Sequence, residues 1–347
     1  MPIPHPFRGA RPVAFSLLAV ALAARPGASL ASPANPHATP KTSAVLAYIE
    51  GLHQRTDRKI LSGEFVGFLP ETSMDLPEAT FRQTGRWPAY IGVDYMNFGG
   101  HLIDTAIPNR IALEYWKAGG LVEVNVHLYN PLNPDPGTGL RDHGVKLTDL
   151  LVPGSAANAA WNRELDSVAA GLQQLQDAGA VVLWRPFHEM NGGWFWWGGK
   201  PPGDFKALWR YTFHYLTDTK GLNNLLWIYS PNMGFSPAAF YPGDDYADIV
   251  GLDAYTDSLD PFHVGGYHAV ANLGKPFGFA EYGPHGPSDP PGDFDYRRLV
   301  PSIESHFPLT SFFMAWSDKW SPPNNLHARE LFNDPLIITR EDLPDWR

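Results

Sequence analysis

The 347-residue chain contains no cysteine. Disulfides, thiolate metal sites and cysteine nucleophiles are thereby excluded, and the fold must rest on its own core. Charge is also sparse: 18% of residues are charged, and 26 basic residues face 36 acidic ones, for a net charge of -10. No basic face is available, which disfavours nucleic acid and anionic membrane as partners. The acidic residues are scattered rather than run together, and the chain is expected to act as a monomer. Several catalytic signatures are missing. His188-Glu189 is not a zinc helix, because Gly192 stands where the second histidine would be needed. No serine sits in a nucleophile elbow, and Gly137-Thr138-Gly139 lacks the flanking strand and helix of a phosphate loop. Neither a metal nor an organic cofactor is expected.

What is plentiful is hydrophobic and aromatic. Hydrophobic residues make up 44% of the chain and aromatic ones 13%, with 12 tryptophans. Such rings serve either a Trp-rich core or a cleft in which pyranose faces lie on indoles, and composition alone leaves both open.

At the N-terminus, Arg8 and Arg11 precede an apolar run over residues 13–24, and Ser29-Leu30-Ala31 gives a small-x-small pattern. The run is too short to span a bilayer and Arg25-Pro26 interrupts it, so residues 1–31 read as a signal peptide rather than an anchor. The mature chain is then expected to be secreted or periplasmic. Pro33, Pro36 and Pro40 mark residues 32–42 as a flexible leader without a core role. Residues 43–347 form the expected catalytic domain, in which no stretch is apolar enough to cross a membrane.

That domain alternates short β-rich runs with amphipathic, helix-like stretches. Eight runs are counted, at 59–66, 88–95, 120–128, 180–187, 224–230, 248–255, 276–282 and 310–316. Segments such as 158–178 and 204–217 between them carry apolar residues at helical spacing. Eight βα units without a dinucleotide fingerprint predict an α/β fold, a (β/α)8 TIM barrel in a single catalytic domain. Working residues of such barrels lie at the C-terminal ends of the strands. Those ends deliver Glu64, Asp94, His127, His188 with Glu189, Asn232, Asp253 with Tyr255, Glu281 and Trp316.

Two acids stand out. Glu189 follows the fourth run and abuts an aromatic wall from Trp194 to Trp197, and Glu281 ends the seventh among small and apolar residues. Strands four and seven end roughly across a barrel mouth, where two carboxyl groups can flank one bound linkage. Glycoside hydrolysis asks for that pair, one acid protonating the departing oxygen and the other attacking the anomeric carbon. Burial and a charged neighbour would raise Glu189 into the role of acid/base, with Glu281 ionised as nucleophile.

The block Arg185, His188, Glu189, Asn191, Gly192 and Trp194 to Gly198, together with Phe279 to Gly283, resembles the acid/base and nucleophile motifs of glycoside hydrolase family 26. Gly119-Gly120-Leu121-Val122 with His127, Asn130 and Pro131, and Gly251 to Tyr255, are similar to two further blocks of that family, so the resemblance covers most of the mature chain. It implies a secreted retaining endo-β-1,4-mannanase whose partner is a polysaccharide substrate. It further implies that His188 bonds near the nucleophile or the sugar before the cleaved bond, that Tyr255 holds the nucleophile, and that Trp316 stacks under that sugar. Trp194 would shape the site, His127 would contact sugar, and Arg185 and Asp253 would support from behind. Family members often carry tryptophan before the third-block histidine, where Val126 stands here. A mixed-linkage β-glucanase, a β-1,3-xylanase, an inverting hydrolase and a non-catalytic polysaccharide-binding barrel remain as alternatives. Closure of the cleft by the insertion at 131–157 would make the action exo.

Overall fold

A computed structural model describes residues 32–55, 57–96, 103–135, 137–286 and 291–347. The expected signal peptide, residues 1–31, lies outside the described residues. Eight parallel strands, β1 (Ile60–Phe65), β2 (Tyr90–Asp94), β3 (Leu121–Asn125), β4 (Val182–Arg185), β5 (Leu225–Tyr229), β6 (Ile249–Tyr255), β7 (Phe277–Gly283) and β8 (Thr310–Ala315), pair in chain order, and β1 pairs with both β2 and β8 to close the barrel. The fold is a (β/α)8 barrel. All eight predicted runs coincide with these strands. They read as nearly continuous apolar segments because each is covered on both faces, by the barrel interior and by the helices outside.

The helices follow from local chemistry. The longest, Ala156–Asp177, starts where Ser155 Oγ accepts from Asn158 N–H at 3.0 Å, and buries Trp161, Leu165, Val168, Leu172 and Leu175 at helical spacing. Gly179, in the left-handed region at φ 73°, ends the connection and releases the chain into β4. The predicted helix at 204–217 is observed as Pro202–His214 and continues through a π turn, Tyr215–Thr219.

Two features depart from the sequence reading. Residues 34–42 are not a loose leader. Ala34 N–H donates to Asp248 Oδ1 at 2.6 Å, Asn35 is buried and donates to Leu222 O at 3.1 Å, and Thr39 caps a helix that begins at Pro40. The prolines suggested an extended chain, but Pro40 occupies the first helical position, where its missing N–H costs nothing. A ninth short strand, β9 (Ile337–Ile338), pairs with the start of β1, and Ser62 Oγ donates to Ile338 O at 2.8 Å. Among the described residues no helix is long and apolar enough to cross a membrane.

Candidate active site

The C-terminal ends of the strands surround a cleft of about 600 Å³, lined by Phe68, His127, Arg141, His188, Glu189, Trp194, Phe195, Asn232, Met233, Tyr255, Glu281, Trp316 and Trp320. At its floor lies Arg185, the last residue of β4 and fully buried. Its Nε donates to Glu123 Oε1 at 2.9 Å, Nη1 to Asp253 Oδ2 at 3.2 Å, and Nη2 to Glu281 Oε1 at 2.6 Å. One planar fork thus fixes three carboxyl groups from three other strands. Burial opposes the Arg185 charge, but Glu281, Asp253 and Glu123 hold it firmly in the protonated form.

The neighbouring acids respond to the same burial. It pushes Glu123 up to about 7 against the pull of Arg185. It pushes Asp253 well above the carboxylate range, with the charge of Glu281 adding to the effect. Asp253 is bonded to Ser230 Oγ and has no exposed surface, so it cannot touch a bound molecule.

Glu281 owes its position to a bulge. Between β6 and β7 the register runs Leu252 to Phe279 and then Asp253 to Glu281, which skips Ala280 and sets the two acids side by side. The Tyr255 hydroxyl donates to Glu281 Oε2 at 2.6 Å, so both carboxylate oxygens are held by donors. Gly283 makes room for this tyrosine: a Cβ there would lie 2.6 Å from Tyr255 Cδ1 and 2.6 Å from Trp320 Cδ1.

Glu189 enters from a turn after β4 in which Phe187 and Glu189 itself adopt left-handed backbone, at φ 52° and 54°. Non-glycine residues pay for that conformation, and here tight packing imposes it. Phe187 is fully buried among Trp161, Trp197, Phe205 and Trp209, and Glu189 N–H donates to Ser230 O at 2.8 Å. The carboxyl group accepts from Asn232 Nδ2 at 2.8 Å and from Trp194 Nε1 at 2.6 Å. Trp194 folds back across Gly192, where a Cβ would lie 2.3 Å from its ring. Burial, then the charge of Glu281, pushes Glu189 up to about 7, while its two donors pull the other way. One oxygen from each of Glu189, Asp253 and Glu281 lies within 4.8 Å of the others. Three acids so close could hold a cation by distance alone, but Arg185 already supplies positive charge to two of them.

The remaining walls are aromatic and imidazole. Trp316 stacks on Phe65 at 4.0 Å with planes 1° apart. His127 pairs through Nδ1 with Asp94 Oδ2 at 2.8 Å and meets His188 edge-on at 4.3 Å. Burial, then His127, then Arg185 depress His188 well below the usual histidine range, so the ring is neutral. Its Nδ1 is buried without a partner among the described residues.

The structure therefore gathers Glu189, Glu281, His127, His188, Trp194, Tyr255 and Trp316 around one cleft, with Arg185 and Asp253 directly beneath. Of the other strand-end candidates, Asn232 also lines the cleft and Asp94 sits behind His127, but Glu64 is moved away. Glu64 does not face the mouth; it is buried against the helix Asp75–Thr84 and accepts from Thr80 Oγ1 at 2.9 and 3.1 Å. Trp196 and Trp197 are fully buried, with their indole N–H groups on Leu128 O and His188 O, so neither can contact sugar. Sequence reasoning held Phe195 only as part of the aromatic wall and overlooked Glu123, Phe68, Met233, Trp320 and Arg141. Only Glu123 carried a usable signal, as an acid between two valines of a buried strand.

A family model described as Glycosyl hydrolase family 26 matches residues 34–342. A mannan endo-1,4-beta-mannosidase of Bacillus subtilis (strain 168) is 36% identical over 346 residues, covering 94% of this chain and 93% of that protein. A solved Bacillus subtilis mannanase, BCman, is similar over 90% of this chain and 96% of its own, with 36% identity and a TM-score of 0.82. The solved GH26-CBM35 beta-(1,4)-mannanase of Podospora anserina is 27% identical with a TM-score of 0.73, over 93% of this chain and 71% of its own.

Proposed function

The chain belongs to glycosyl hydrolase family 26, and from that membership and the paired acids we propose that it is a retaining endo-β-1,4-mannanase with Glu189 as acid/base and Glu281 as nucleophile. The observation that carries the mechanism is the carboxylate spacing. Oxygens of Glu189 and Glu281 lie within 4.8 Å of each other, an approach that fits a retaining pair, whose carboxyl groups stand about 5 to 5.5 Å apart, better than an inverting pair at about 6.5 to 9.5 Å. The mannan preference rests on the relatives, which are named as mannan endo-1,4-beta-mannosidases.

The two acids divide the work through their surroundings. In the first step a Glu281 oxygen attacks the anomeric carbon, the bond to the bridging oxygen breaks, and the Glu189 proton passes to that oxygen. Burial that lifts Glu189 to about 7 keeps this proton available near neutrality. Arg185 and Tyr255 aim the Glu281 carboxylate and steady its charge before attack. Once the glycosyl ester forms, Glu281 loses most of its charge, so Glu189 gives up its proton more readily and becomes a base. It then takes a proton from water, the hydroxide attacks the anomeric carbon, and Glu281 leaves as carboxylate. Trp316, firmly seated on Phe65, would offer its free face to the sugar before the cleaved bond.

Both acids belong to one barrel, in keeping with the proposed action as a monomer. Export rests on the N-terminal pattern of Arg8, Arg11 and Ser29-Leu30-Ala31, and the family match begins only at residue 34. The test is hydrolysis of mannan, glucomannan, mixed-linkage glucan and β-1,3-xylan with Glu281→Ala as control. Mannan should be the best substrate and the variant inactive, with azide restoring turnover and giving a product of inverted anomeric configuration. Unimpaired hydrolysis by Glu281→Ala would refute the mechanism, and a preference for another glycan would refute the substrate.

A further inference from the structure

Most large apolar side chains at the described surface are about half covered, but Phe235 and Phe262 are 97% and 90% exposed. Scattered exposed hydrophobics are ordinary, whereas neighbouring ones beside a binding cleft call for a reason. Phe235 lies in the loop after β5, two residues beyond Met233, which lines the cleft. Phe262 stands at the tip of the loop after β6, where Val264 N–H closes a turn on Asp260 O at 2.9 Å. The two loops are tied by Gly234 N–H donating to Gly265 O at 2.9 Å, and they approach so closely that a Cβ at Gly265 would lie 3.3 Å from Gly234 Cα. Trp194, in the preceding βα loop, is 41% exposed. Three successive loops, after β4, β5 and β6, thus each present an exposed aromatic at the active end of the barrel.

We propose that Phe235 and Phe262 form a track that binds the leaving portion of a polysaccharide chain, beyond the sugar adjacent to the cleaved bond. The inference rests on the reading of the cleft as a β-glycanase site. If Trp316 underlies the sugar before the bond, a chain crossing the cleft leaves past Asn232 and Met233, toward these loops. A β-linked pyranose chain offers apolar C–H faces that cover a phenyl ring and hydroxyl rims that stay in water. That chemistry suits isolated rings on loops that also carry Asp260, His263 and Ser236, where a protein partner would need a broader apolar surface.

The experiment compares Phe235→Ser, Phe262→Ser and the double variant with the parent on two substrates: long-chain soluble β-1,4-mannan, and an aryl β-mannobioside whose leaving group ends at the cleaved bond. For the double variant, kcat/KM on the polymer should fall roughly tenfold, chiefly through KM, from the lost apolar cover. Each single variant should fall less, and the aryl substrate should be cleaved at the parental rate. Both positions are on the surface, so the thermal unfolding midpoint should match the parent. A double variant that keeps the parental ratio of polymer to aryl activity overturns the track and leaves the proposed enzyme intact. A parent inactive on both substrates overturns the enzyme reading, and the track with it.

Discussion

Replacing Trp194 by phenylalanine removes a single N–H from Glu189 and keeps an aromatic ring at the rim. The indole donates to Oε2 at 2.6 Å while Asn232 holds Oε1. Burial and the charge of Glu281 raise Glu189 to about 7, and these two donors resist the rise, so losing one moves the acid further up. A hydrogen bond to a charged group contributes about 1.5 to 3 kcal/mol, and one pKa unit corresponds to about 1.4 kcal/mol, so complete loss would shift Glu189 by about one to two units. Because Trp194 is 41% exposed, water replaces part of the lost donor, and about half a unit to one unit remains. In the proposed mechanism the first chemical step uses protonated Glu189, so kcat/KM should decline as pH rises through its pKa. In Trp194→Phe that alkaline limb should move from near 7 to between about 7.5 and 8. The assay is kcat/KM on soluble mannan across pH 5 to 10. A weakened sugar contact would lower the whole curve without displacing the limb, so the two effects separate. A limb that stays in place or moves to lower pH would refute Glu189 as the titrating acid.

Two further outcomes follow from buried charge. Arg185→Met leaves Glu123, Asp253 and Glu281 buried without their shared cation. Unfolding in urea at pH 7 should show a loss of about 3 to 5 kcal/mol, and parental stability would contradict the described cluster. Glu64→Gln tests the other buried acid. Burial raises Glu64 from 4.5 to about 8, against the single donor Thr80. A raised folded-state pKa means its stabilising contribution is whole below the unfolded value and disappears as pH climbs through about 8. The glutamine variant should thus match the parent at pH 4.5 and exceed it by about 4 to 5 kcal/mol at pH 9 in urea titrations. Equal stability at pH 9 would show that Glu64 ionises freely.

The eight strands, the helices between them and the strand-end positions of Glu189 and Glu281 were legible in the sequence because each rests on local pattern. Apolar runs between turn signals define strands, and an acid at a strand end announces itself wherever the strand lies. Register was not legible. The bulge that skips Ala280 decides that Glu281 sits beside Asp253 over Arg185, and nothing within Phe277–Gly283 marks it. Glu64 illustrates the converse. It ends β1 as the other acids end their strands, yet its side chain packs against a helix, because alternate residues of a strand face opposite ways and a run buried on both faces shows no alternation to read. Residues 34–42 looked loose from their prolines, but Asp248 and the 222–223 turn, supplied from far along the chain, fasten them. The sequence by itself determined the elements and the kinds of chemical group at their ends. Only the tertiary structure decided which groups meet, since distances between residues remote in the chain depend on strand stagger and packing, which no local segment encodes.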